Sequence, residues 1–352
     1  MARPSLSSVS AGSGSAHVTI KDVARVAGVS VATVSRVLNG SGPVAGDTRT
    51  RIHRVAQELR FIPNGAARSL STRRTGTLGV VLPDLHREFF SEVIRGLGQA
   101  ARGRGFHLLL SSSHDHRDDV EAALRVMRGR VDGLVVLSPH VDAGVLAANL
   151  PDSVPAVLLN SPVESGDFDT LRVDTFGGAR EMVAHLAGHG YRRIAIVTGP
   201  RQNQDAAERL RGYRAAVAAA EIAGDSLEVE GDFTEEAGYR AARALLAADP
   251  RPTAVFAAND SMAIGLISAL QQAGVSVPRD MAVAGFDDIP ISRYLTPPLS
   301  SVRVAIDELA ARAMDQLVCA VEGENRHARI HETLAATLVI RDSCGAHGDA
   351  AG

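Results

Sequence analysis

Apolar positions follow one period near the start of the chain and another beyond it. Between Thr19 and Leu59 they recur with helical spacing: Ile20, Val23, Ala24 and Ala27 fall at i, i+3, i+4 and i+7, and Ile52, Val55, Ala56 and Leu59 repeat the pattern. Thr19 with Asp22 three residues on is a capping signal, and Gly28 is a stop. Ser30 can cap a second helix running to Leu38, which Asn39-Gly40 closes. Two short helices across a three-residue turn containing glycine predict a helix-turn-helix. The third amphipathic stretch supplies a core that the pair could not close alone.

From Leu78 the pattern becomes one of short apolar runs alternating with Ala-rich helical stretches. The runs are 78–82, 106–110, 133–137, 156–159, 194–197, 254–257 and 281–286; the helical stretches include 90–102, 118–127, 177–188, 206–220, 234–248 and 261–272. This alternation predicts parallel, doubly wound α/β sheets. The remaining length exceeds what one such sheet usually holds, so two lobes are expected, with a ligand in the cleft at the carboxyl ends of the strands. Residues 1–17 are poor in large apolar side chains and read as a flexible tail, and 64–75 as a basic linker that becomes helical only with a partner.

Charge sharpens this division. Residues 1–75 hold 11 Lys and Arg against 3 Asp and Glu, a net of +8; the remainder holds 26 against 37, a net of −11. A basic head on an acidic body is what a nucleic-acid-binding head requires, although a merely solvated basic surface would have the same charge. Cys319 and Cys344 are too few for a disulfide framework or a four-cysteine zinc site, so no metal or other cofactor is expected. No apolar run is long enough to span a membrane, and the start of the chain lacks a secretory core; a cytoplasmic setting is expected.

In the stretch VTIKDVARVAGVSVATVSRVLN (18–39), Val34, Val37 and Leu38 face one side of the second helix, and Val31, Ala32, Ser35 and Arg36 the other. A stripe that is small except for one arginine suits a helix lying deep in a major groove. Arginine can pair with guanine O6 and N7, while Ala and Val pack on thymine methyls. In the body, Phe89 and Phe90 offer adjacent aromatic faces just after a strand. Asn160, Asn259 and Asp287 stand at or just beyond the carboxyl ends of apolar runs, where a carboxylate or amide can meet sugar hydroxyls. Of Arg209, Arg211 and Arg214, one is expected to meet a ligand; Asp260 and Asp288 read as structural caps. No Walker loop, HExxH or G-x-S-x-G occurs, and the histidines are scattered, so no catalytic residue is assigned.

Residues 18–39, with Phe61-Ile62-Pro63-Asn64 and 67–70, resemble the DNA-binding head of the lactose/galactose repressor (LacI/GalR) family. The resemblance continues through Pro83-Asp84, Phe89-Phe90, Thr198-Gly199-Pro200, 209–212, Asn259-Asp260 and 285–288, and covers about 18–342. It implies a small all-α helix-turn-helix head on a two-lobed α/β body similar to periplasmic sugar-binding proteins. It further implies a homodimer on a pseudo-palindromic double-stranded DNA operator and a small-molecule effector, a sugar in the first instance. By the same resemblance Val31, Ala32 and Arg36 read bases, Thr33 and Ser35 contact phosphate or bases, and Thr19, Ser30 and Asn39 hold the DNA backbone. Asn64 and Ala67 belong to the hinge, and Leu70 matches an apolar wedge for the minor groove at the operator centre. Among the body residues the resemblance selects Arg209 and adds Phe233 as a cover for the ligand ring.

Domain limits follow: head 18–63, hinge 64–75, a first lobe of about 76–173 and 304–328, a second of about 174–303 and 329–343, and a tail at 344–352. That tail lacks the tetramerising heptads of some relatives. Gly65 in the hinge and Val44-Ala45-Gly46 before the third helix depart from the family pattern. A sugar phosphate stays open as effector, with Arg87 or Arg211 as the second cation, as does a purine held between the phenylalanines. A pure ligand-binding protein of the periplasmic type is the remaining alternative, and the basic head argues against it.

Overall fold

The computed structural model describes residues 18–40, 42–62, 74–114, 116–138, 143–150, 154–161, 168–222, 226–323 and 329–345. The expected tail at 1–17 lies outside them, as do 346–352 of the tail expected at 344–352 and hinge residues 64–73 with Asn64, Ala67 and Leu70; the start of the second tail is corrected, because Cys344 closes a 3-10 helix (Asp342–Cys344) and is fully buried. The chain divides into two compact units, 1–75 and 76–352.

In the first unit, α1 (Ile20–Ala27), α2 (Val31–Leu38) and α3 (Gly46–Glu58) enclose Val23, Ala24, Ala27, Val34, Val37, Ile52, Val55 and Ala56. These are the i, i+3, i+4, i+7 positions of the sequence pattern. The Asp22 carboxylate accepts from the Thr19 amide and hydroxyl (3.0 and 2.8 Å), which pulls its pKa down to about 2. Gly28 takes φ +65°, a left-handed conformation that glycine adopts at little cost, and so ends α1. Ser30 Oγ then accepts from the Thr33 amide (3.1 Å) and opens α2. By contrast, α3 starts at Ala45 without a side-chain cap.

In the second unit the described strands form two six-stranded sheets. β1 (Thr77–Leu82), β2 (His107–Ser112), β3 (Gly133–Leu137), β4 (Ala156–Leu159), β5 (Asp169–Val173) and β11 (His331–Leu334) follow the order β11-β5-β4-β3-β1-β2, all parallel. β6 (Ile194–Val197), β7 (Leu227–Val229), β8 (Ala254–Ala257), β9 (Ala282–Asp287), β10 (Ser300–Arg303) and β12 (Thr337–Val339) follow the order β12-β10-β9-β8-β6-β7, parallel except for β12.

α4 (Glu88–Gly103), α5 (Arg117–Met127), α6 (Ala143–Asn149) and α11 (Ile306–Glu322) accompany the first sheet, with α4 packed on α11. α7 (Thr175–Gly188), α8 (Gln204–Ala219), α9 (Glu235–Ala247) and α10 (Asp260–Gln272) accompany the second. Gly238 of α9 and Gly265 of α10 leave no room for a Cβ against the facing backbone. That close approach fixes the start of α10, and with it Asn259, beside the loop carrying Phe233.

The chain passes between lobes three times, and the third passage differs from the expectation. The reading that put 329–343 wholly in the second lobe is corrected, because β11 pairs with β5 in the first sheet and only β12 joins the second. Edge pairing decides this: the Ile330 amide donates to Asp169 Oδ1 (2.9 Å) and Thr170 Oγ1 lies 2.8 Å from His331 Nδ1. A short polar strand with a single buried side chain, Leu334, has no apolar signature of its own.

Candidate DNA-binding head and ligand cleft

In the head, packing of Val34 and Val37 into the core turns the opposite stripe of α2 outward. Val31, Ala32 and Arg36 are exposed, while Thr33 and Ser35 are half-buried. Arg36 makes no ion pair among the described residues, whereas Arg25 is bound to Asp22 (3.0 Å) and Arg54 lies 3.9 Å from Glu58. The polar residues around this stripe are tied to one another. Ser30 and Thr33 share a hydroxyl contact of 2.8 Å, and Asn39 Nδ2 donates to Ser35 Oγ (3.2 Å). These bonds hold the stripe rigid and leave Arg36 as its single long donor.

In the body, a cavity of about 340 Å³ is lined by both lobes. The structure brings Phe89, Phe90, Asn160, Arg209, Phe233, Asn259 and Asp287 together on its wall. Arg209 projects from α8 and is buried. Its Nη2 donates to Asp287 Oδ1 (3.2 Å), its Nη1 donates to the Ala258 carbonyl, and its guanidinium lies 3.8 Å from the ring centroid of Phe286 and 5.7 Å from that of Phe233. Burial pushes the Asp287 carboxyl up to about 6, with Arg209 opposing the rise and Asp205 adding to it.

Backbone strain gathers here as well. Asn160, Phe233, Asp287 and Asp288 all have positive φ (46°, 67°, 109° and 54°), a costly conformation that persists only where the surroundings enforce it.

The two asparagines act as ties. Asn259 caps α10 by accepting from the Met262 amide (3.0 Å) and donates to the Phe233 carbonyl (3.0 Å), so it holds the aromatic loop against the cavity. Asn160 accepts from the Val173 amide (3.0 Å) and donates across the lobes to Asp205 Oδ2 (3.2 Å). A second bond between lobes joins the Ile291 amide to Glu88 Oε1 (3.3 Å).

Asp205 and Glu88 escaped the sequence reading. The apolar pattern starts this helix at 206, one residue past Asp205, although the polar run Asn203-Gln204-Asp205 is an N-terminal signal for α8. Phe89 and Phe90 meet edge to face with centroids 5.4 Å apart. Asp260 is fully buried and accepts from the Ile289 amide (3.0 Å), Ser292 Oγ (2.6 Å) and Ser301 Oγ (2.5 Å), so it anchors the loop after Asp287. Burial, reinforced by Asp287, raises its pKa to about 8. Asp288 is ion-paired with Arg303 and Arg341 (2.7 Å each). No group of His, Cys, Asp and Glu among the described residues could hold a metal, and no helix among them is long and apolar enough to cross a membrane.

Comparison with known proteins accords with both halves. Residues 19–64 match the bacterial regulatory proteins of the lacI family, and 183–344 match a periplasmic binding protein-like domain. The ribose operon repressor of Escherichia coli (strain K12) is 37% identical over 304 residues, which cover 85% of this chain and 92% of the relative. The regulator CelR of Thermobifida fusca is 34% identical, over 92% of this chain and 98% of its own. Among solved structures, the lac repressor dimer bound to operator and the anti-inducer ONPF superposes with a TM-score of 0.83 at 29% identity, over 93% of this chain and 99% of that one. The chain belongs to the LacI family of bacterial regulatory proteins and is a DNA-binding transcriptional regulator with a ligand-binding body.

Proposed function

We propose that the protein is a cytoplasmic repressor of carbohydrate-utilisation genes, not an enzyme, that binds a pseudo-palindromic operator as a homodimer. A neutral polyhydroxylated ligand, a mono- or disaccharide, sets its affinity for DNA. The observation that carries the reading is the buried Arg209–Asp287 pair on a cavity walled by aromatic side chains. Arginine offers donors only and aspartate acceptors only, which together match the alternating oxygens and hydrogens of a sugar, while Phe89, Phe90 and Phe233 offer faces for its C–H side. Several names of similar proteins favour a sugar, namely ribose operon repressor, a CelR–cellobiose complex and a LacI family regulator from Enterococcus faecium with bound ribose, whereas the transcriptional repressor PurR of Edwardsiella ictaluri, 35% identical, names none.

In the head, Val31, Ala32 and Arg36 read base edges, Thr33 and Ser35 contact phosphate or bases, and Thr19, Ser30 and Asn39 hold the backbone; Asn64 and Ala67 of the hinge contact DNA, and Leu70 wedges into the operator centre. Removal of residues 1–75 tests the division of labour. DNA binding disappears and sugar binding, followed by thermal shift, remains; loss of sugar binding with the head, or retention of DNA binding without it, contradicts the reading.

A further inference from the structure

One carboxylate in the cleft stands apart from the Arg209–Asp287 pair. Asp205 stands in the first turn of α8, four residues before Arg209, and lines both the main cavity and a smaller one of about 210 Å³. Its Oδ2 accepts from Asn160 Nδ2 at 3.2 Å, and its Oδ1 accepts no hydrogen bond among the described residues. Arg209 donates to Asp287 and to the Ala258 carbonyl, and no hydrogen bond joins it to Asp205 among the described residues. Asp205 and Asp287 thus both present carboxylates to the main cavity.

Arg87 and Arg211, also near the cleft, bring their own counter-charges. Arg87 Nε lies 3.1 Å from Asp84, and Arg211 Nη2 lies 2.6 Å from Glu208 with its guanidinium 4.5 Å from the Phe176 ring centroid. Arg172 attracts Asp205 from the side of the smaller cavity and does not line the main one. Burial raises the Asp205 carboxyl above its ordinary range, with Arg209, Asn160 and Arg172 opposing the rise and Glu208 adding to it.

Resting on the reading of this cleft as a sugar site, we propose that Asp205 sets the charge class of the ligand. It accepts hydroxyl hydrogen bonds from a neutral sugar and turns away the phosphorylated sugar of the same skeleton. A carboxylate held by Asn160 at one oxygen presents the other to a hydroxyl donor at no cost in conformational freedom. A phosphate brought beside Asp205 and Asp287 meets like charge in a medium that screens it poorly.

Calorimetry on the full chain tests this, with ribose, glucose and cellobiose against ribose 5-phosphate and glucose 6-phosphate, for the wild type, Asp205→Asn and Asp205→Glu. The wild type should favour neutral sugar over its phosphate by at least about tenfold, and Asp205→Asn should shrink that ratio by at least about tenfold. Asp205→Glu keeps the charge and should keep the rejection, even if Asp205→Asn folds poorly. A ratio unchanged in Asp205→Asn, or a wild type that prefers the phosphates, overturns the proposal alone. A wild type that binds no sugar of either kind overturns the sugar reading and this proposal with it.

Discussion

The head and the cleft use arginine in opposite ways. Arg36 is exposed, unpaired among the described residues, and carried on a rigid stripe of small side chains. Arg209 is buried, bonded to Asp287 and a carbonyl, and sits over an aromatic ring. The difference is the one the proposed partners would require. A polyanionic duplex supplies the counter-charge itself, so the cation facing it gains most when left solvated and free. A small ligand cannot neutralise a buried charge, so the protein must do so beforehand and hold the pair in place. Strain follows the same division: Arg60 is the one described non-glycine residue of the head with positive φ, whereas four such residues surround the cleft.

The largest expected effect comes from truncating the buried arginine. Arg209→Ala leaves Asp287 buried without its partner and should lower the stability of the body by about 3–5 kcal/mol, together with loss of sugar response. Denaturant titration measures this, and a loss below about 1 kcal/mol would put Arg209 in the same class as an exposed charge. For Arg36→Ala the losses should fall elsewhere. Operator affinity drops by about 1–3 kcal/mol with relaxed preference at one base pair per half-site, while unfolding of the head moves by less than about 0.5 kcal/mol. Footprinting that shows unchanged sequence preference would remove its base-reading role.

Acid should separate the two regions by sign. Asp260 and Asp287 have pKa values raised to about 8 and about 6, so between the ordinary carboxylate range and those values the folded body binds more protons than the unfolded chain. Their contribution to stability therefore grows as pH falls from 8 towards 5. Thermal unfolding across that window checks the slope, which Asp260→Asn should flatten. Asp22 in the head is lowered to about 2, so its contribution is present above the ordinary carboxylate range and fades as pH falls through 2. This is the smallest effect, because the group is exposed; Asp22→Asn should abolish it.

Much of this contrast was legible in residue order. The three head helices announce themselves through caps and periodicity, and strands at 133–137, 156–159, 194–197 and 254–257 match their apolar runs end to end. Parallel strands buried on both faces must read as unbroken apolar runs, which is why those were visible. β7 and β12 are short and only part-buried, and β11 is an edge strand chosen by its bonds to β5, so none has a local signature. α11 has an amphipathic pattern over Ile306–Glu322 that the lobe assignment of 304–328 left unused. Asp205 stayed hidden because its role depends on Asn160, a residue from the other lobe, and no periodicity carries that kind of contact.

The central claim is that occupation of the cleft reaches the head. It is tested most directly by titrating the wild type and Asp287→Ala with the operator selected from random DNA, each with and without a saturating neutral sugar. The wild type should change its operator affinity by about 5- to 150-fold on adding sugar, the usual range for coupled sites, while Asp287→Ala binds the operator as the unliganded wild type does and does not respond. An equal response in both proteins would place the ligand elsewhere, and no response in either would contradict the coupling itself.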